Sequence, residues 1–131
     1  MFKFFNKQKP LSLDSFTFNY QIHTNELNKL CKKFGCDKGS FEGSHKFFSW
    51  KPHSYTDLYY FLFSNQRFHI KKVFELGIGT NKVFNDALKR KSLPGASLRV
   101  WKNFFSKAKI FGADIDTNTL FKEDRIKTFK V

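Results

Sequence analysis

Residues 73–81 read VFELGIGTN: an apolar run that carries Glu75 near its end and then loses its side chains at Gly77 and Gly79. A strand that turns into a loop can use glycine simply to turn. A loop whose backbone must approach a ligand needs glycine because the absent Cβ permits close contact and positive φ. G-x-G alone does not separate the two readings, so the neighbouring segments have to.

Upstream, residues 69–76 (HIKKVFEL) read as a buried strand closing on Glu75. Downstream, residues 80–94 are polar and basic and look inserted, with one helical turn allowed by Phe84, Ala87 and Leu88. Residues 97–106 place Leu98, Trp101 and Phe105 on one helical face. Residues 109–114 (KIFGAD) form a second strand that again ends on an acid, Asp114. Residues 120–124 read as a short turn and residues 125–131 as a third strand. Strand, glycine loop, helix, strand is the order of a parallel α/β unit. Its glycine loop and Asp114 fall at the carboxyl edge of the sheet, where open α/β sheets bind ligands.

The first half is more helical. Thr24 is placed to cap a helix whose stripe is Leu27, Leu30, Cys31 and Phe34, stopped by Gly35. Residues 35–53 read as a long loop. Ser54 and Asp57 resemble a capping pair for a second helix with the stripe Tyr55, Leu58, Tyr59 and Leu62. Residues 16–20 alternate as a short strand would. The reading divides the chain into an arm, helix and loop over 1–53 and a cofactor-binding α/β half-domain over 54–131, together one structural unit.

Charge and composition bound the partners. Lys and Arg number 24 against 11 acids, a net charge of +13, which favours polyanions. The lysines are scattered, however, and the 19 Phe mostly follow helical or strand periods, as core residues do. A basic nucleic-acid-binding module is therefore the alternative from another class, and a non-catalytic nucleoside-binding module is the nearer one. Cys31 and Cys36, at a spacing that matches no common metal motif, read as reduced thiols; His45 and His53 complete no regular ligand pattern, and no metal site is assigned. The first ten residues lack a secretory apolar core and no stretch is long enough to span a bilayer. The expectation is a soluble, cytoplasmic protein with no membrane partner.

Acid before glycine narrows the ligand. A carboxylate at Glu75 repels a pyrophosphate and attracts a sulfonium or amino group. VFELGIGTN, GASLRVWKNFF, KIFGADID and EDRIKTF, taken in order, resemble the class I S-adenosylmethionine-dependent methyltransferases, in their macrocin-type O-methyltransferase branch. CDKGS and HSYTDLYYFLF resemble segments that precede the first strand in that branch. The resemblance implies a partial Rossmann-like sheet with N-terminal helices that stops after its third strand. It implies S-adenosylmethionine as cofactor, with Glu75, Gly77 and Gly79 at its methionine end, Asp114 on the ribose hydroxyls, and Gly95, Ala96 and Ser97 bringing a helix N-terminus alongside. Asp116 is either a neighbour of that site or a strand-end acid. Tyr55 and Tyr59 lie on the helix that covers the family's pocket, although core packing is the favoured reading for both.

Two departures limit what carries over. Asn81 stands in place of a glycine, and the segments on which the family carries its metal and catalytic acids have no counterpart in these residues. The catalytic residues and the methyl acceptor, a sugar or other hydroxyl compound, are unassigned, as is the divalent metal that the family implies. A sheet that stops after the third strand predicts an unpaired edge at residues 125–131, open to self-association.

Overall fold

The computed structural model describes residues 25–40, 53–79 and 94–131. Helix α1 (Glu26–Phe34) begins at Asn25, whose side chain accepts from the Asn28 amide, and ends at Gly35 with φ 71°. Its expected stripe holds: Leu27 and Cys31 are fully buried, and Leu30 and Phe34 pack against the core. The expected cap Thr24, the strand at 16–20 and the helical turn near Phe84 lie outside the described residues.

Helix α2 (Tyr55–Phe63) corrects its expected stripe. Its buried residues are Thr56 and Asp57, while Leu58, Leu62 and Tyr55 (51% exposed) face outward. The cause is polar. Asp57 is drawn into a network in which its carboxylate accepts from Asn25 Nδ2 (2.7 Å), Asn28 Nδ2 (2.7 Å) and Ser40 Oγ (2.5 Å). A buried carboxylate must keep its hydrogen bonds, so this network sets the helix's rotation. Tyr59, Tyr60 and Phe63 become the inward apolar side.

Strand β1 (Lys72–Leu76), helix α3 (Ala96–Phe104) and strand β2 (Lys109–Asp114) form the expected unit. After a 3₁₀ turn (Thr117–Thr119) come β3 (Lys122–Glu123) and β4 (Ile126–Lys130), in a sheet ordered β1-β2-β4-β3. β1, β2 and β4 are parallel and β3 is antiparallel to β4. α3 packs Leu98, Trp101 and Phe105 with Ile110 and Ile126, and the buried Leu27, Cys31 and Cys36 join the same core. Gly112 permits this approach, since a Cβ there would stand 2.7 Å from Leu98 Cδ1.

Two expectations about the strands are overturned. Residues 120–124 are not only a turn: Glu123 pairs with Ile126 and Lys122 with Lys127, so β3 occupies part of the edge predicted to be open. The two-residue link brings Arg125 to φ 56°. Its guanidinium donates to the carbonyls of Lys102 (2.9 Å), Phe105 (3.3 Å) and Ala108 (2.9 Å), closing the end of α3. β1, in turn, is not a buried strand. Among the described residues no strand pairs with its outer edge, and Phe74 and Leu76 are 62% and 67% exposed. Register sets Phe74 beside Phe111, and Leu76 in line with Ala113 and Phe129. This sheet face therefore carries an exposed apolar patch bordered by Lys72, Lys109 and Lys127, and Phe74 and Phe129 are not core aromatics.

Candidate functional site

The carboxyl ends of β1 and β2 lie side by side, with Leu76 opposite Ala113. The chain leaves β1 through Gly77 (φ 78°) and Gly79 (φ 91°). A side chain pays a steric penalty in this left-handed region, which is why glycine stands there. A Cβ on Gly77 would meet nothing within 4 Å, so the space beside this backbone is open.

Asp114 holds the loop in place. Its Oδ2 accepts from the amides of Ile78 (2.8 Å) and Gly79 (3.2 Å), and its Oδ1 from the amide of Asp116 (2.9 Å). The Asp116 amide, opposed by burial and helped by the Ile78, Gly79 and Ile115 amides, holds the Asp114 carboxyl below its ordinary range. Asp116 is a capping residue: its carboxylate accepts from the Asn118 amide at 2.9 Å and starts the 3₁₀ turn.

Glu75 points to the helical side of the sheet. Its Oε1 accepts from Ser97 Oγ (2.9 Å) and its Oε2 from Trp101 Nε1 (2.7 Å). Lys38 Nζ lies 3.4 Å from Oε1. Ser97 thus reaches the site through its hydroxyl, four residues before Trp101 and on the same helical face. Burial pulls the Lys38 ammonium toward neutrality, but the Glu75 charge, aided by that of Asp37, outweighs it and holds the group above its ordinary value.

A cavity of about 360 Å³ opens against these groups, lined by Lys38, Tyr59, Glu75, Gly77 and Trp101 and by apolar side chains that include Phe63 and Phe105. That volume falls within the range of small-molecule sites. Tyr59 packs edge-on against Trp101, with ring centroids 5.6 Å apart. Tyr55 stacks instead on His53 at 4.8 Å, both exposed, so the core reading of Tyr55 is corrected.

The five site residues expected from sequence come together around one loop. Glu75 and Ser97 touch on one side, and Asp114 and Gly79 on the other, with Gly77 between. Lys38 and Trp101 were missed as site residues. Both stood inside quoted motifs, CDKGS and GASLRVW, yet no local period assigns a loop lysine or a core tryptophan to a carboxylate far along the chain. Cys31 and Cys36 are buried free thiols. Among the described residues no group of three His, Cys, Asp or Glu side chains comes together, and no helix is long and apolar enough to cross a membrane. His45 lies outside those residues.

A mainly parallel sheet with helices on one face, a glycine loop and acids at adjoining strand ends defines a partial Rossmann-like α/β fold. Comparison with known proteins specifies it further. The chain is 32% identical over 95 residues to the 8-demethyl-8-(2-methoxy-alpha-L-rhamnosyl)-tetracenomycin-C 3'-O-methyltransferase of Streptomyces olivaceus, a match covering 72% of this chain and 23% of that protein. It superposes on the MycE methyltransferase of the mycinamycin biosynthetic pathway, solved with Mg, SAH and mycinamycin VI, with a TM-score of 0.58 and 28% identity over 82% of this chain and 25% of that one. A further MycE structure, with Mg and SAH, gives the same TM-score of 0.58. No protein-family model matches the chain. The resemblance to the class I S-adenosylmethionine-dependent O-methyltransferases therefore holds in sequence and in fold, and the chain spans about a quarter of the length of the relatives it matches.

Proposed function

We propose that this chain is the S-adenosylmethionine-binding portion of an O-methyltransferase acting on a hydroxyl of a small molecule. The observation that carries the reading is the pairing of two carboxylates, Glu75 and Asp114, at adjoining strand ends on either side of a loop with two positive-φ glycines. Similarity to enzymes whose names specify O-methylation, and to one solved with SAH, supports it.

The residues present fit such a cofactor. The open side of Gly77 leaves room for a ligand against bare backbone. Glu75 supplies negative charge where a cationic amino or sulfonium group would sit. Asp114 keeps the loop shaped and stands at the strand end from which a carboxylate can accept from ribose hydroxyls. Bound there, the cofactor supplies an electrophilic methyl group for transfer to an oxygen nucleophile. No described residue is assigned to deprotonate that oxygen, nor to hold a metal such as the Mg of the MycE structures. In this reading those tasks fall to further strands and helices, for which the bare β1 edge and the exposed Phe74, Leu76 and Phe129 face are the joining surface.

The direct test is a calorimetric titration of the chain with S-adenosylhomocysteine. Saturable heat, weakened about tenfold or more in Asp114→Asn, supports the reading. Absence of heat at millimolar ligand overturns it.

A further inference from the structure

Lys38 is the charged group at the site that the cofactor reading leaves unused. The loop that carries it is fixed on both sides. The Asp37 carbonyl accepts from the His53 amide at 2.7 Å. The Lys38 carbonyl accepts from the Thr56 amide (3.1 Å) and from Thr56 Oγ1 (3.1 Å). Two residues on, the Ser40 amide donates to Asn28 Oδ1 at 2.8 Å and its hydroxyl to Asp57. Loop and helix are locked so that one long cationic side chain is delivered to the end of β1. There its Nζ stands 3.4 Å from Glu75 Oε1, with the Lys38 side chain 30% exposed, and both residues line the same cavity. An ammonium has three donor hydrogens, so one directed at Glu75 leaves others for a ligand.

A cation and a carboxylate side by side at a cavity wall match one ligand chemistry in particular, the zwitterion of an α-amino acid. Its ammonium complements Glu75 and its carboxylate complements the lysine. A purely anionic group would complement Lys38 but be repelled by Glu75, and a neutral group would complement neither charge. Ser97 and Trp101 orient the carboxylate half of the pair through their hydrogen bonds to it.

We propose that Lys38 binds the α-carboxylate of the ligand's amino-acid end, and that the Lys38–Glu75 pair makes the site selective for nucleoside thioethers and sulfoniums that keep that end intact. This inference rests on the cofactor reading above and adds to it the residue that discriminates.

The test compares three ligands by calorimetry on the intact chain: S-adenosylhomocysteine, its analogue lacking only the α-carboxylate, and 5'-methylthioadenosine, which lacks the whole amino-acid end. With the wild-type protein, loss of the carboxylate alone should weaken binding about tenfold or more, the size expected for a charge-assisted hydrogen bond. In Lys38→Met that difference should shrink to about twofold, and Lys38→Arg should restore most of it. Methylthioadenosine should bind Lys38→Met as it binds the wild type. Equal affinity of the wild type for the first two ligands overturns the inference, without needing any variant to fold. So does a Lys38→Met protein that weakens all three ligands alike, the mark of a structural role. If methylthioadenosine binds but the amino-acid end adds nothing, the nucleoside site stands and the Lys38 role falls. If no ligand binds, the cofactor reading itself has failed.

Discussion

Trp101 Nε1 donates to Glu75 Oε2 at 2.7 Å, joining the middle of α3 to the end of β1 across 26 positions of sequence. One indole thus does two things: it walls the cavity beside Tyr59, and it fixes the carboxylate to which Ser97 and Lys38 also turn.

Trp101→Phe separates these roles, because it keeps an aromatic ring and removes the donor. The expected stability loss is about 1.5–3 kcal/mol, the worth of a hydrogen bond to a charged group. Affinity for S-adenosylhomocysteine should fall further than stability does, since Glu75 loses its orientation. Urea unfolding and calorimetry on the same preparation measure the two effects; unchanged affinity would remove Trp101 from the site.

Acid should loosen the glycine loop. The Asp114 carboxyl titrates below its ordinary value of 3.8, held there first by the Asp116 amide and also by those of Ile78 and Gly79. A depressed carboxylate contributes stability above its unfolded-state value and loses that contribution as pH falls through the folded value. The melting temperature of the wild type should therefore decline as pH drops below about 4. Asp114→Asn should melt lower near neutrality and decline less in acid. Parallel acid limbs for the two proteins would show that Asp114 is not linked in this way.

Two glycines of similar φ should respond differently to alanine. At Gly77 (φ +78°) an added Cβ meets open space, so the cost is the left-handed strain alone, about 1–2 kcal/mol. At Gly95 (φ +76°) the Cβ would lie 2.3 Å from the Phe121 ring, adding overpacking of about 1–3 kcal/mol. Chemical denaturation should rank Gly95→Ala well below Gly77→Ala, whereas ligand affinity should suffer more from Gly77→Ala. The reverse order in stability would mean that Phe121 moves aside freely.

The Asp57 network should be costly to disturb. Asp57→Asn replaces one carboxylate oxygen with a donor, which at the Oδ1 position would face the Asn25 and Asn28 amides and at the Oδ2 position the Ser40 hydroxyl. A buried donor without an acceptor costs about 1–3 kcal/mol. Because Ser40 and Thr56 anchor the Lys38 loop, the variant should also bind S-adenosylhomocysteine more weakly. A variant as stable as the wild type would show that the network relaxes around the amide.

β3 covers part of the edge that the sequence suggested was open, and the edge of β1 offers a second place to test. Among the described residues no strand pairs with the outer edge of β1, beside exposed Phe74 and Leu76, a surface that invites edge pairing. Sedimentation of the wild-type chain should depend on concentration, and the double substitution Phe74→Lys, Leu76→Lys should shift it toward monomer. A wild type that stays monomeric at high concentration would remove self-association at this edge.

Sequence by itself determined the elements that obey a local period or a backbone constraint. The α1 stripe of Leu27, Leu30, Cys31 and Phe34, the αL stop at Gly35, the Leu98, Trp101 and Phe105 face of α3, and the glycine loop between two acid-ended strands were all legible, because each depends on residues within a few positions of one another. So was the meeting of the glycine loop and Asp114 at one sheet edge, which follows from parallel topology, whereas Ser97 was placed beside them by the family resemblance. Tertiary structure alone decided the rotation of α2, the hairpin pairing of β3, the exposure of β1 and the arrival of Lys38 and Trp101 at Glu75. Asn25 and Asp57 lie 32 positions apart, and Ser97 and Glu75 lie 22 apart. A buried carboxylate takes its hydrogen bonds from whatever donors the fold brings near, and no local pattern records that choice.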